Sequence, residues 1–240
     1  MKKRILGKDL EVSAVSLGCM GFTHAYGPAM DEKEASKVIE QAVDMGYLYF
    51  DTAECYTGNR EDGSLAYNED LVGKVMKPYR KNVVIASKYG VHHSPQGLLT
   101  DSRPETIRKA VEGSLKRLQT DYIDLYYKHR IDPKVPAEGD YRNFMPQYKD
   151  EAIDANQMLM EYIRFLAAEK QATPAQISLA WMINKKPYIV PIPGSRQAER
   201  VRENAGAADI MLTEQEIAAI DEKLEHMEIS GVFGGSPVKK

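Results

Sequence analysis

Short apolar runs alternate with amphipathic helical patterns along this chain of 240 residues, and the alternation limits the folds open to it. A parallel strand needs a long crossover, usually a helix, to reach its neighbour. Repeated strand–helix units therefore predict a parallel sheet covered by helices, which is the α/β class. We predict five strands, four early and one late: residues 12–17, 47–53, 82–90, 122–127 and 188–194.

Local signals predict a hairpin at the start and the points where helices begin. Residues 4–17 have the pattern of a hairpin turned at Gly7 that runs into the first strand. A Ser, Thr or Asp three positions before Glu, or a proline in the first turn, is typical of a helix start. Such starts occur at Asp31 with Glu34, Ser102 with Pro104 and Glu105, Thr173 with Pro174, and Thr213 with Glu216. Further helices are predicted over 68–80, 152–170 and 195–206.

The composition is that of an ordinary globular chain, with 43% hydrophobic and 28% charged residues and a formal net charge of −3. No long single-sign block suggests a nucleic-acid or membrane-surface partner. No segment approaches the ~20 apolar residues of a membrane span, and the start lacks the apolar core of a signal peptide. Two cysteines make no disulfide framework, and we interpret His92 and His93 as loop residues rather than metal ligands. We expect a cytoplasmic protein.

Polar residues follow the carboxyl ends of the predicted strands, where α/β sheets carry their sites. They are Asp51 with Tyr56 five residues later, Lys88, and His129. Each also has an ordinary structural interpretation: a loop-bonding aspartate, a half-buried tyrosine, a solvated lysine and a structural histidine. Because these strands are consecutive, their ends are expected to converge, and this pattern favours a shared site.

These four side chains suit the protonation of an alkoxide. A free phenol has a pKa near ~10 and is a poor acid at neutral pH, but a neighbouring ammonium favours its ionised form. An aspartate beside the ammonium keeps the lysine charged and in place. A histidine donates a hydrogen bond to a carbonyl oxygen and stabilises the charge that grows there.

The segment PIPGSRQAERVREN indicates a phosphate site. A glycine turn after a buried strand lets backbone amides face an anion at the start of the next helix. Arg196 and Arg200 are four residues apart and so share one helical face near that end. A surface helix rich in Arg and Glu is the competing interpretation.

Together these motifs closely resemble the aldo-keto reductase family. The matching stretches are DTAECY, ASK, YKHR and IPGSRQAERVREN, and LEVSAVSLGCMGF resembles the family's first strand and loop. The resemblance implies a (β/α)8 TIM barrel that reduces an aldehyde or ketone with NADPH. It implies Tyr56 as general acid, Lys88 as its pKa modulator, Asp51 as partner of Lys88, and His129 as orienter of substrate. The implied cofactor-binding residues are Gly194, Ser195, Arg196, Arg200, Glu203 and Asn204.

The chain is short for that barrel, which has eight strands of roughly 30 residues per unit. We predict a single domain over 1–240 made of an N-terminal barrel half, 1–137, and a C-terminal part, 141–240, without family strands five to seven. The seam falls at PAEGDYR, residues 136–142, and about 90 residues are absent. The sheet would then have the strand order 8-1-2-3-4 in family terms and be open beside 122–127, a setting for homo-oligomer formation, strand exchange or aggregation. Two functions stay open: an NADPH-dependent carbonyl reductase, or a non-catalytic remnant that binds nucleotide or a partner.

Overall fold

The computed structural model describes residues 1–94, 97–101, 104–129, 157–225, 232–233 and 236–237. Its strands are β1 Lys3–Leu6, β2 Leu10–Ser13, β3 Leu17–Gly18, β4 Tyr49–Asp51, β5 Thr57–Asn59, β6 Leu65–Tyr67, β7 Val84–Tyr89, β8 Val91–Ser94, β9 Gly97–Thr100, β10 Leu125–Lys128, β11 Val232–Phe233 and β12 Ser236–Pro237. Its α-helices are α1 Glu32–Asp44, α2 Asn68–Met76, α3 Pro104–Leu118, α4 Gln157–Glu169, α5 Pro174–Lys185, α6 Ala198–Gly206 and α7 Glu214–Glu225.

A parallel sheet of order β10-β7-β4-β3 forms the centre of the fold. The extended residues 190–194 continue it beyond β3. The amide of Ser16 donates to the Pro191 carbonyl at 2.9 Å, that of Gly18 donates to Pro193 at 3.3 Å, and Gly18 pairs with Gly194. The sequence predicts this order, with the late segment beside the first strand.

The prediction of a regular late strand is nevertheless wrong, because residues 188–194 form only an isolated bridge, at Gly194. Pro191 and Pro193 turn their carbonyls towards β3, and proline has no amide proton to return to the ladder. The segment therefore pairs with its neighbour through the carbonyl groups of these prolines, which accept hydrogen bonds. Gly18 permits the close approach, since a Cβ there would lie 2.8 Å from the Ile192 carbonyl oxygen.

Two other strand boundaries differ from prediction. The predicted run 12–17 divides into β2, which is antiparallel to β1 after the turn at Gly7, and β3 in the main sheet. The predicted strand 122–127 begins later, at Leu125. The Asp124 carboxylate accepts from the Ile85 amide at 2.8 Å and pairs with Arg80 at 2.9 Å. That side chain takes the place of a ladder bond just before β10.

Two antiparallel hairpins, β5–β6 and β8–β9, follow the strand ends. The first hairpin was not predicted from the sequence, and the interpretation of His92 and His93 as loop residues is wrong, since both lie in β8. The first hairpin sits close to the loop after β3. A Cβ on Gly58 would lie 1.9 Å from the Thr23 carbonyl oxygen, so only glycine fits.

The predicted helix starts are confirmed where they fall on described residues. Asp31 accepts from the amides of Lys33 and Glu34, and Thr173 forms a reciprocal capping box with Gln176. Thr213 and Glu216 exchange the same pair of bonds before α7. Predictions that concern Ser102, residues 152–156 and the seam at 136–142 lie outside the described residues.

Among the described residues, three of the four clusters of buried side chains hold these layers together. The largest packs the outer face of the sheet against α1, α2, α5 and α6 and includes Phe50, Ile85 and Tyr47. A second lies among α4, α5 and α7 around Leu166 and Ile177. The third is on the inner face of the sheet, where the opening hairpin supports Tyr49, Val84 and Ala86.

The close contact between α2 and α3 predicts that two Gly→Ala changes, one on each helix, affect stability differently. A Cβ on Gly73 would lie 2.5 Å from the Leu118 backbone, so we expect Gly73→Ala to lower the free energy of unfolding by about 1–3 kcal/mol despite the higher helix propensity of alanine. Gly113→Ala on α3 is the control, because its Cβ meets only the flexible end of Arg117, at 3.1 Å. Urea unfolding measures both. Equal losses in the two variants would contradict the close packing.

Candidate active site

Asp51, Tyr56 and Lys88 meet at the carboxyl end of the sheet. Lys88 Nζ donates to Asp51 Oδ1 at 2.5 Å, to the Tyr56 hydroxyl at 3.1 Å and to the Thr52 carbonyl at 2.7 Å. Register explains the meeting: Asp51 pairs with Ala86, and Lys88 lies two residues further on the same face. The convergence predicted for these residues is confirmed.

This cluster is largely withdrawn from water. Asp51 is 4% exposed and Tyr56 8% exposed, and the Lys88 side chain is 13% exposed. Burial raises the pKa of the Asp51 carboxyl, while the Lys88 ammonium acts in the opposite direction. The ammonium also lies 4.7 Å from the centre of the Tyr56 ring. Its charge therefore acts on both the carboxylate and the phenol.

His129 joins the cluster from the next strand. Its amide donates to the Tyr89 carbonyl at 2.9 Å just beyond β10. Its ring stands edge-on to Tyr56, with centroids 5.4 Å apart and planes at 84°. The four predicted strand-end residues thus form one cluster.

Asn68 is a buried connector that the sequence analysis missed. Its carbonyl oxygen accepts from the Thr52 hydroxyl at 2.7 Å, and its Nδ2 donates to the Cys19 carbonyl and the Thr23 hydroxyl, both at 2.9 Å. Thr23 in turn donates to the Tyr56 carbonyl at 3.1 Å. One amide therefore joins the loops after β3 and β4. An asparagine that opens a helix gives no sequence signal for such a role.

Two further histidines lie beside the tyrosine. His24 stacks on the Tyr56 ring at 5.9 Å and donates through Nδ1 to the Thr57 carbonyl, 2.7 Å away. His93 donates through Nε2 to the Cys55 carbonyl at 3.0 Å, and its ring meets His24 at 5.6 Å. Only the three-dimensional arrangement reveals them, since His24 comes from the loop after β3 and His93 from β8, which are distant in sequence.

A cavity of about 390 Å³ lies below this cluster, inside the curve of the sheet. Asp51 and Lys88 line its polar end, and its other lining residues are Leu6, Tyr49, Tyr127, Tyr188, Val190 and Ile192. A larger hollow of about 810 Å³ lies at the opposite end of β7 and contains none of the four clustered residues. The smaller cavity is therefore the one in contact with the cluster, through Asp51 and Lys88.

The predicted phosphate segment lies beside the loop after β3. The Arg196 guanidinium donates to the Tyr26 carbonyl at 2.9 Å and to the Pro28 carbonyl at 2.5 Å. Arg200 is exposed and pairs with Glu203 at 2.6 Å. The sequence did not anticipate that Arg196 anchors this loop.

The other predicted members of the segment surround the start of α6. Gly194 pairs with β3, and the Ser195 hydroxyl accepts from the Gln197 amide at 3.1 Å. Glu203 also accepts from the Thr173 hydroxyl at 2.6 Å, and this bond, aided by Arg200, lowers the pKa of its carboxyl. Asn204 is half-buried in the same helix. The six residues thus lie in or just before α6, and their role as a phosphate site stays a prediction.

Within the described ranges, no group of His, Cys, Asp and Glu has a metal-binding arrangement. A search of the same residues finds no helix long and apolar enough to cross a membrane.

The Asn68 connections predict a specific stability defect. Asn68→Asp replaces a donor of two hydrogen bonds with a carboxylate that faces the Cys19 carbonyl, so we expect a loss of about 2–4 kcal/mol in the free energy of unfolding. The loss should shrink as pH falls, because protonation removes the buried charge. Asn59→Asp, an exposed asparagine, is the control and should change little. Denaturation at several pH values tests this, and a loss that grows on acidification would contradict it.

Comparison with known proteins places this arrangement in a family. A model of the "Aldo/keto reductase family" matches residues 14–150 and 137–225. A probable aldo-keto reductase 1 of Glycine max is 27% identical over 318 residues, which cover 95% of this chain and 89% of the relative.

Solved structures agree on the fold. A thermostable aldo-keto reductase crystallised with epalrestat superposes with a TM-score of 0.69 at 24% identity, covering 93% of this chain and all of that one (100%). An aldo-keto reductase from Klebsiella pneumoniae in complex with NADPH gives 0.60 at 22% identity, covering 92% and 95%. The chain therefore belongs to the aldo/keto reductase family and shares its barrel-like α/β fold.

Proposed function

We propose that this chain is an NADPH-dependent oxidoreductase that reduces an aldehyde or ketone to an alcohol. The observation that carries the proposal is the Tyr56 hydroxyl, 3.1 Å from the Lys88 ammonium, which Asp51 holds in turn. The family supports the reaction class. A small carbonyl compound is the proposed substrate, bound over the cavity beneath these residues.

Each residue of the cluster has a proposed part in the proton transfer. The substrate oxygen gains negative charge as reduction proceeds, and Tyr56 delivers its proton to that oxygen. Lys88 favours the phenolate that remains. Asp51 fixes the ammonium, and His129 donates a hydrogen bond that orients the carbonyl oxygen. Burial strengthens every one of these interactions, because water does not screen them.

The residues around α6 fit the phosphate end of NADPH. Arg200 is exposed at the helix start, and the Arg196 Nε is buried without a hydrogen-bond partner in the described structure. We propose that Ser195, Arg196 and Arg200 hold the 2′-phosphate beside Gly194, with Glu203 and Asn204 near the adenine. When bound, the cofactor supplies the hydride.

We propose that the barrel is incomplete by three strand–helix units. The Glycine max alignment spans 318 residues, whereas 95% of 240 residues is about 228. At about 90 positions of the alignment, the relative therefore has a residue and this chain has none. Three units of roughly 30 residues would account for that number. On this proposal one domain spans 1–240, and the edge beside β10, where Tyr127 is exposed, favours homo-oligomer formation.

The same shortfall supports a second candidate, a non-catalytic remnant that binds nucleotide or a partner. The resemblance to the family implies that the middle strands help to hold the nicotinamide, and a donor misplaced by ~1 Å costs on the order of a hundredfold in rate. For either candidate we propose a cytoplasmic location. Neither Cys19 nor Cys55 is in a disulfide bond, and cysteines outside disulfides are usual in reducing compartments.

Tyr56→Phe is expected to lower the rate of carbonyl reduction by at least about 100-fold, because it removes the proton donor and little else. NADPH binding should persist. Tyr122→Phe, on the exposed far end of the sheet, is the matched control. Loss of NADPH absorbance with a panel of aldehydes measures the rate. Unchanged turnover in Tyr56→Phe would remove Tyr56 as the acid, and no turnover in the unmodified protein would favour the remnant.

Replacement of Arg196 and of Arg200 should affect the relative affinities for NADPH and NADH differently. Arg200→Ala is expected to weaken NADPH by about tenfold and leave NADH unchanged, since one charge-assisted phosphate bond is worth about 1.5–3 kcal/mol. Arg196→Ala should weaken both cofactors, because Arg196 also anchors the loop at Tyr26. Arg202→Ala on the same helix is the control. Titration calorimetry distinguishes these results. Equal affinity of the unmodified protein for NADPH and NADH would refute the placement.

A further inference from the structure

The Cys55 thiol lies against the ring of His129. Its Sγ is 3.2 Å from His129 Nδ1, and its side chain is 7% exposed. The two residues are far apart in sequence and come from different strand ends. Cys55 directly precedes Tyr56, so one short segment contacts both the proposed acid and the proposed orienting histidine.

The backbone of Cys55 is itself held firmly. Its carbonyl accepts from the Thr57 amide at 2.9 Å and from His93 Nε2 at 3.0 Å. The thiol therefore projects from a fixed point. The His129 backbone is attached to β7 through its amide, which places the ring within reach of that point.

We propose that Cys55 is a positioning residue: its thiol donates a hydrogen bond to His129 Nδ1 and so keeps the ring proton on Nε2. A neutral imidazole has one donor and one acceptor nitrogen, and the partner of one nitrogen decides which it is. A thiolate facing an imidazolium would place two charges in a buried site and cost more. A neutral Nδ1–H would have only the thiol sulfur, a weak acceptor, as its partner.

The consequence concerns the reaction proposed above, on which this inference rests. Only the Nε2–H form leaves His129 with a donor on the nitrogen remote from Cys55. That donor is what a substrate carbonyl oxygen requires. Cys55 thus sets both the rotation and the tautomer of the ring, while it touches neither substrate nor cofactor.

Nitrogen NMR of the histidine rings tests this in the protein without substrate. In the unmodified chain, neutral His129 should show Nδ1 as an acceptor and Nε2 as the protonated nitrogen, with its signals identified by their loss in His129→Gln. Cys55→Ser should keep this tautomer, because a hydroxyl also donates. Cys55→Ala should yield a mixture of both tautomers. Cys19→Ala is the matched control, since the Cys19 thiol donates to the Leu17 carbonyl instead.

Kinetics provide the second readout. Cys55→Ala should lower kcat for carbonyl reduction by about tenfold, with KM for NADPH unchanged and the rate restored in Cys55→Ser. An Nδ1–H tautomer in the unmodified chain, or unaltered His129 signals in Cys55→Ala, would overturn the proposal. Loss of folding in Cys55→Ala leaves the unmodified spectrum decisive. Correct tautomers without turnover would instead refute the proposed function and leave the positioning role standing.

Discussion

The buried ion pair between Lys88 and Asp51 is the interaction on which the site depends. It joins two neighbouring strands across an offset of two residues, and it is possible only because β4 and β7 are parallel and in the observed register. Two charges removed from water are costly unless further hydrogen bonds satisfy them. Here the Thr52 carbonyl and the Tyr56 hydroxyl complete the coordination of the ammonium. These hydrogen bonds offset part of the cost of burial, and they also hold the Tyr56 side chain in a fixed position.

Loops surround this pair, and each is held to the sheet by a specific device. Asn68 joins the loops after β3 and β4, Gly58 lets a hairpin approach Thr23, and Arg196 ties the first loop to the phosphate segment. Because loops are the least stable parts of an α/β fold, such devices decide how well the site is organised. Arg196 is particularly important, since its side chain connects the loop after β3 with the extended residues 190–194 just before it.

Much of the fold could be predicted from local rules. Helix starts follow from side-chain caps at Asp31, Thr173 and Thr213, and the four clustered residues follow from their places at strand ends. The rest depends on distant partners that no local pattern encodes. Nothing near Asn68 in the sequence reveals its bonds to Cys19 and Thr23. The late segment has a strand's apolar character, but its two prolines face β3, and only the register shows which residues face it.

The two halves of the proposed chemistry rest on different parts of the sheet. The groups proposed for proton transfer lie on or just beyond β4, β7 and β10 and are connected by direct contacts, so their geometry does not require a closed barrel. The groups proposed to bind the cofactor lie at α6 and, in a complete barrel, on the middle strands. Loss of those strands would weaken the hold on the cofactor before it disturbed Tyr56. The cluster of Asp51, Tyr56, Lys88 and His129 therefore supports the proposed reaction class, whereas turnover on this proposal depends on how the edge beside β10 is covered.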